Sequence, residues 1–318
     1  MKALLALLFA LLAFDGWAQP YPAKPVRVIV PYPPGGGNDT LGRLFAAKLG
    51  ERMGQPFLVE NRPGAGTMIG TEAAAKSPPD GYTILLSSIA THALSPNLYS
   101  RVPYDPIKDF APITLLGIAP TVLVINQEVP AKSLQELISL AKSKPGTLAY
   151  ASGGNGTPPH INAEVFKAVA GVDLLHVAYK GGGPALTDLI AGRVHVMLDT
   201  AASAMPHVRA GKLRALALSA PKRSAEYPDL PTFAEAGLPA YDTNAWYSMH
   251  APAGTPPEVV RRLNGELVAI LKDPDILARF KQLSTDPVGN TPEEFASFLK
   301  AELDKYARII KAAGIKLD

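Results

Sequence analysis

The chain has 318 residues, no cysteine, and 31 basic against 28 acidic side chains, for a formal net charge of +3. With 47% hydrophobic and 19% charged residues it carries too much apolar material for disorder, and the missing cysteines exclude a disulfide framework and thiol chemistry. No basic run is longer than Lys222-Arg223 or Arg261-Arg262, so no nucleic-acid surface is expected.

At the start of the chain Lys2 precedes an unbroken apolar run from Ala3 to Phe14, and Gly16-Trp17-Ala18 supplies the small residues of a cleavage site after Ala18. This predicts a secretory signal over residues 1–18, a mature chain beginning at Gln19, and a mature protein soluble outside the cytoplasm. The run is shorter than the ~20 residues that cross a bilayer. Its removal takes away one lysine and one aspartate, so the net charge stays at +3. Without disulfides in an exported compartment, stability has to come from packing alone.

Val26-Arg-Val-Ile-Val30 is a β-branched run stopped by Pro31, Pro33 and Pro34, and beyond the glycines Leu41, Leu44, Phe45 and Leu49 recur at helical spacing. Strand, loop and helix are predicted in that order. The order repeats with a strand at 57–59, a glycine turn and a helix at 68–76, then a strand at 82–86 that leads into Ser87, Ser88, Thr91 and His92. A second series starts at 122–125. It continues with a helix at 134–141, a strand at 148–151, the loop Ser152-Gly-Gly-Asn-Gly-Thr157 and a helix opened by Pro158 and Pro159. Then come a strand at 174–177, the Gly181-Gly-Gly183 turn, a helix from Pro184, and strands at 194–198 and 213–218.

Residues 221–241, rich in proline, predict an irregular return path. Thr255-Pro-Pro-Glu258 and Thr291-Pro-Glu-Glu294 have capping-box spacing ahead of amphipathic stripes and predict two helices at the end of the chain. Strands alternating with helices imply parallel βαβ units, and no long linker divides them. The predicted fold class is α/β in two lobes, each a mostly parallel sheet flanked by helices. Residues 19–120 with 246–318 form one lobe and 121–245 the other, with hinges near 119–122 and 242–246.

Gly35-Gly-Gly37-Asn-Asp-Thr40 lies between a strand and a helix, where backbone N–H groups and the helix N-terminus attract anions. Ser152 to Thr157 is its counterpart in the second series. Ligands of open α/β sheets bind beyond the carboxyl ends of the strands, so two matched loops there predict an anion site.

Nucleotide binding is poorly supported. Gly64-Ala-Gly66-Thr-Met-Ile-Gly70 loosely resembles a dinucleotide fingerprint, but the next strand ends in Ser87 and Ser88 where a ribose-binding acid belongs, and no P-loop occurs. Catalysis has no local signature either, since there is no G-x-S-x-G elbow and the six histidines contain no close metal-ligand pair. Neither a metal nor a cofactor is expected. A triad drawn from Ser87, Ser152, His92, His160 and Asp199 stays open on sequence alone, and would make the chain an exported α/β hydrolase of a small ester or amide. His160 reads as structural, on the first turn of its helix, and His195 as a packed core histidine.

Six ordered landmarks then carry a resemblance over the whole mature chain. They are Val30-Pro-Tyr-Pro-Pro-Gly-Gly-Gly-Asn-Asp39, Val59-Glu-Asn-Arg-Pro-Gly-Ala-Gly66, Asp80-Gly-Tyr-Thr83, Ser152-Gly-Gly-Asn-Gly-Thr157 with His160, the segment from Tyr179 to Gly183, and Ala251-Pro-Ala-Gly-Thr-Pro256. The sequence resembles the periplasmic solute receptors of tripartite tricarboxylate transporters, often called Bug proteins.

The resemblance implies a hinge-closing receptor of Venus flytrap architecture, a binding protein rather than an enzyme. Such a receptor captures a small carboxylate, a dicarboxylate or an aromatic acid, for membrane transporter subunits or a membrane sensor, and as a monomer. It implies that Tyr32, Pro33, Gly35, Gly36, Gly37, Asn38 and Asp39 face Ser152, Gly153, Gly154, Asn155, Gly156 and Thr157 across the ligand. Thr67, Ser87, Ser88, Thr91 and His92 would line one side, and Tyr179, Lys180, Gly181, Asp199 and Thr200 the other. Thr67-Met68 departs from the glycine and small residue usual after Gly64-Ala-Gly66. With Tyr32, Tyr179 and Trp246, Met68 would give an aromatic acid a place to pack, and simple packing is the plainer expectation.

Overall fold

The computed structural model describes residues 21–317 except 36, 221 and 225. The signal segment 1–18, the cleavage site and Gly36 therefore lie outside the described residues. The strands are β1 (Val26–Val30), β2 (Phe57–Asn61), β3 (Thr83–Ser88), β4 (Phe110–Asn126), β5 (Ala149–Ser152), β6 (Leu175–Ala178), β7 (Val196–Thr200), β8 (Leu213–Leu218), β9 (Asn244–Pro252) and β10 (Asp286–Pro287). The helices are α1 (Gly37–Met53), α2 (Met68–Ala75), α3 (Ser95–Leu98), α4 (Leu134–Ser143), α5 (Pro158–Ala170), α6 (Gly182–Ile190), α7 (Ala201–Arg209), α8 (Pro257–Ile270), α9 (Pro274–Gln282) and α10 (Pro292–Ala313). A π-helical turn, Ala90–Leu94, follows β3.

Two parallel trios carry the βαβ pattern, β2-β1-β3 and β6-β5-β7. Long antiparallel strands join them. β4 pairs with β9 along Phe110–Pro120 and then with β7 and β8 along Thr121–Asn126. Pro112, Gly117 and Pro120 read as strand breakers in the sequence, so only the last part of β4 was expected. The strand absorbs the first two through shifts of register between Pro112 and Thr114 and between Leu115 and Gly117. One expected hinge, 119–122, thus falls inside a continuous strand, and the other, 242–246, runs into the start of β9.

β4 works as a spine with two distinct edges. Gly117 and Ile118 pair with both β9 and β10, which must therefore lie on opposite edges, and Val122 pairs with both β7 and β8. The carboxyl end of β3 meets the spine through Ser88↔Tyr247 and Tyr247↔Gly117, and the carboxyl end of β7 meets it at Thr200↔Thr121. The points where the two trios end thus lie four positions apart on β4, with three residues between them.

β1, β3 and β9 are covered by α1 and α8, with Val28, Phe45, Leu49, Leu263 and Leu267 fully enclosed. Tyr150 of the second trio packs in one buried cluster with Ile161 and Phe166 of α5. α10 packs on the π-turn and α3 as well as on α5, so it touches both halves, although residues 246–318 were expected to belong to one.

Two further expectations need correction. Thr291 does form a capping box with Glu294, whereas the Thr255 hydroxyl turns back to Pro252 O at 2.8 Å and Pro256 takes the N-cap position of α8 without a side-chain cap. α6 begins at Gly182, before Pro184. Among the described residues the return path is irregular apart from a bridge between Leu218 and Thr232.

Candidate functional site

The first loop is held by its own acid. Asp39, on the first turn of α1 and only 4% exposed, accepts from Gly35 N–H at 2.8 Å, Arg43 Nε at 3.0 Å and Asn61 Nδ2 at 2.8 Å. The Arg43 hydrogen bond, then that of Gly35, holds its carboxyl down at about 2. Asn61 also donates to Tyr32 O at 3.1 Å, and Arg62 N–H to Val30 O at 2.9 Å. The Val59-to-Gly66 landmark therefore braces the Tyr32 loop, and the Asp39 carboxylate acts within its own half. Pro33, Gly35 and Gly37 are exposed. Asn38 Oδ1 is buried with no hydrogen-bond partner.

Beside this loop Gly64, Ala65, Gly66 and Thr67 all have positive φ, of 124°, 45°, 60° and 79°. Gly66 has no room for a side chain, since a Cβ there would sit 2.7 Å from Tyr99 Oη, and Ser95 Oγ donates to Gly66 O at 2.7 Å. Thr67 is a β-branched residue in the left-handed region, which costs about 1–3 kcal/mol and calls for compensation. Its Oγ1 does not cap α2 and is buried without a partner.

At the end of β3 Ser88 Oγ bonds Tyr32 Oη and accepts from Ala90 N–H at 3.1 Å. Thr91 Oγ1 donates to Ser88 O at 2.7 Å and lies 2.8 Å from His92 Nδ1, so it accepts the Nδ1 proton of a neutral His92. Burial lowers His92 to about 3, and burial together with the neighbouring His92 holds His250 well below the usual imidazole range. The two rings stack at 4.0 Å, and each Nε2 is buried without a partner. Ser87, fully buried, bonds Ser248 Oγ at 2.6 Å and His250 Nδ1 at 3.0 Å beneath the site.

The second loop is also self-braced. Ser152 Oγ accepts from Gly154 N–H at 3.1 Å and meets His176 Nε2 at 2.7 Å, while Thr157 Oγ1 donates to Gly154 O at 2.6 Å. His160 Nδ1 accepts from Gly156 N–H at 3.1 Å, which gives the histidine the structural role read for it in the sequence. Two of the N–H groups expected to cradle an anion, those of Gly154 and Gly156, are thus turned inward. Gly154, at φ 123°, lies so close to Tyr179 O that a Cβ would sit 3.2 Å away, and a Cβ on Gly153 would be 3.3 Å from Gly181 and Gly182. Asn155 is exposed.

Around this loop Gly181 N–H donates to Gly153 O at 3.1 Å, Tyr179 Oη donates to Asp188 at 2.9 Å, and Lys180 is exposed. Asp199 accepts from Thr200 N–H at 2.7 Å, and burial raises its carboxyl. The Asp199 charge also reaches Tyr247 on β9, whose phenol is pushed up to about 12, chiefly by burial. Tyr247 is a residue that sequence reasoning missed. It lies one residue past the stretch 242–246 read as a hinge, in a strand that was not foreseen, and its register opposite Ser88 was not visible. His195 Nδ1 accepts from Ala149 N–H at 2.9 Å, a satisfied histidine as expected.

Of the aromatic lining proposed from sequence, Met68 packs with Ile29 and Leu85, and Trp246, 1% exposed, donates to Glu302 at 2.9 Å. Only Tyr32 stays beside Ser88. Two Ser–His pairs exist, Ser87–His250 and Ser152–His176, but among the described residues neither imidazole forms an ion pair with a carboxylate. Neither pair completes a triad. Among the described residues no group of three metal-ligating side chains occurs, and no helix is long and apolar enough to cross a membrane.

Comparison with known proteins gives a consistent picture. The family described as Tripartite tricarboxylate transporter family receptor matches residues 41–315. Protein BugT of Bordetella pertussis is 38% identical over 323 aligned positions, covering 100% of this chain and 99% of its own. A solved structure described as R. palustris Rpa4515 with adipate is 36% identical at a TM-score of 0.81, covering 93% of this chain and 99% of its own. MatC from Rhodopseudomonas palustris with bound malate is 33% identical at a TM-score of 0.77, covering 91% and 100%.

Proposed function

We propose that this chain, which belongs to the tripartite tricarboxylate transporter receptor (Bug) family of periplasmic solute-binding receptors, captures a small aliphatic carboxylate between its two halves. One observation carries the reading. The loop after β1 and the loop after β5 stand at strand ends that converge on the middle of β4, and buried, unpartnered Asn38 Oδ1 and Thr67 Oγ1 lie in the first half of that convergence. Buried polar atoms are rarely left unsatisfied, so these two call for a partner that arrives with the solute.

A carboxylate accepts from the Thr67 hydroxyl and from loop N–H groups, and a bridging water joins it to Asn38 at little enthalpic cost. Arginine is not needed for this. The Tyr32 and Tyr247 phenols, both held neutral by burial, close the site without placing a charge beside an anion. The positions of Met68 and Trp246 favour an aliphatic acid over an aromatic one. Relatives solved with adipate and with malate support the same ligand class.

In this reading the protein is exported to the periplasm by its cleaved signal, acts as a monomer without catalysis or metal, and presents its loaded form to membrane transporter subunits or a sensor. Native mass spectrometry of protein purified from its own host tests it. A bound mass of one small carboxylic acid, displaced by malate or adipate, is the expected result. A bound neutral or cationic solute would refute the reading.

A further inference from the structure

On the edge of β4 away from the converging loops lies a cavity of about 680 Å³. Its floor is Pro120, one wall is the segment after β8 with Tyr227, and the other is the α9–β10 corner with Phe280 and Ser284. Among the described residues one hydrogen bond joins the two walls, between Tyr227 Oη and Ser284 Oγ at 3.1 Å. Arg209 donates to Tyr227 Oη at 2.9 Å, lies over its ring at 5.2 Å and ion-pairs with Glu226, which fixes the phenol at the contact with Ser284. Ser284 is itself in the left-handed region, at φ 44°, a conformation that needs outside support.

Arg209 ends α7, and α7 begins directly after Thr200 at the carboxyl end of β7. One helix of about 13 Å therefore joins the ligand side of the spine to this contact. Flexing β4 in the plane of the sheet narrows one edge as it widens the other. In this structure the far edge is bridged, and among the described residues no hydrogen bond joins the Tyr32–Asp39 loop to the Ser152–Thr157 loop.

We propose that Arg209, Tyr227 and Ser284 form a counter-latch that holds the halves apart until a solute closes the opposite edge. The inference rests on the two-lobe reading above. The latch sets how much of the ligand's binding energy goes into closure, and hence the affinity.

The chain has no cysteine, so spin labels attach cleanly to Asp229→Cys and Ala278→Cys, two exposed positions flanking the cavity. In ligand-free protein, Tyr227→Phe should lengthen the distance between the labels, and Ser284→Ala should do the same. Calorimetry with malate and with adipate should show each variant binding about 2- to 10-fold tighter, the effect expected from one net hydrogen bond. The double variant should gain no more than either alone, because both remove the same contact. An unchanged label distance in both variants would overturn the counter-latch. If Tyr227→Phe lengthens the distance but the parent binds neither acid, the latch stands and the choice of ligand fails.

Discussion

Asp39 Oδ2 accepts the N–H of Gly35 at 2.8 Å, which makes the only acid of the first glycine loop a brace for that loop. The sequence expectation had placed it among the ligand contacts. Asp39→Asn should therefore cost stability as well as affinity. The folded carboxyl titrates at about 2, below its unfolded value of about 3.9. Its contribution is then fully present above pH 4 and lost as pH falls through 2. Melting curves of the parent and Asp39→Asn should differ at pH 7 and converge near pH 2, and a constant difference across that range would contradict the brace.

Asp199 has the opposite sign. Burial raises its carboxyl, so the folded form keeps its proton to a higher pH than the unfolded chain does. Stability from this group is complete below the unfolded value and declines as pH rises through the folded one. Asp199→Asn keeps the acceptor for Thr200 N–H and removes the charge. Its melting temperature relative to the parent should rise from pH 4 to pH 8, and a fall over that interval would mean the carboxylate is needed in its ionised form.

At Thr67 stability and function should separate. Thr67→Gly relieves a left-handed β-branched residue and should stabilise the fold by about 1 kcal/mol, while the loss of Oγ1 weakens carboxylate binding. Thr67→Val keeps the strain and loses only the hydroxyl. Thermal melts and calorimetry should show the glycine variant more stable and both variants binding more weakly. A Thr67→Val protein with the parent's affinity would remove this hydroxyl from the site.

Gly154 is the sharpest test of the second loop. Its φ of 123° and the 3.2 Å approach of Tyr179 O leave no place for a branched side chain. Gly154→Val should weaken binding by about 10-fold or more, equivalent to about 1.4 kcal/mol, while Lys180→Ala, at an exposed side chain, should leave it near the parent's value. Calorimetry giving the reverse order would point to a side-chain salt bridge in place of a loop cradle.

Much of this molecule is legible in its sequence, and the exceptions have physical causes. Val26–Val30 and the Leu41, Phe45 and Leu49 stripe announce a strand and a helix because both bury a face in the standard period. The spine β4 does not, because Pro112, Gly117 and Pro120 are breakers unless register shifts and a second partner strand absorb them. The glycine loops were visible as loops, but composition does not tell which of their N–H groups turn inward to Asp39, Ser152 and His160. Tyr247 was invisible for a related reason. Its place at the site depends on register against Ser88, a relation between residues far apart in the chain.

The central claim is that a carboxylate is held by both halves at once, and the ends of the sheet report on it most directly. β2 and β6 are its outermost strands, and Leu58 and Leu175 on them are 55% and 58% exposed. Spin labels on Leu58→Cys and Leu175→Cys in this cysteine-free chain measure the span between the two arms. With malate or adipate at a concentration that calorimetry shows to be saturating, the account predicts a shorter distance than in the ligand-free protein. An unchanged distance at proven saturation would contradict it, because the solute would then be bound by one half alone.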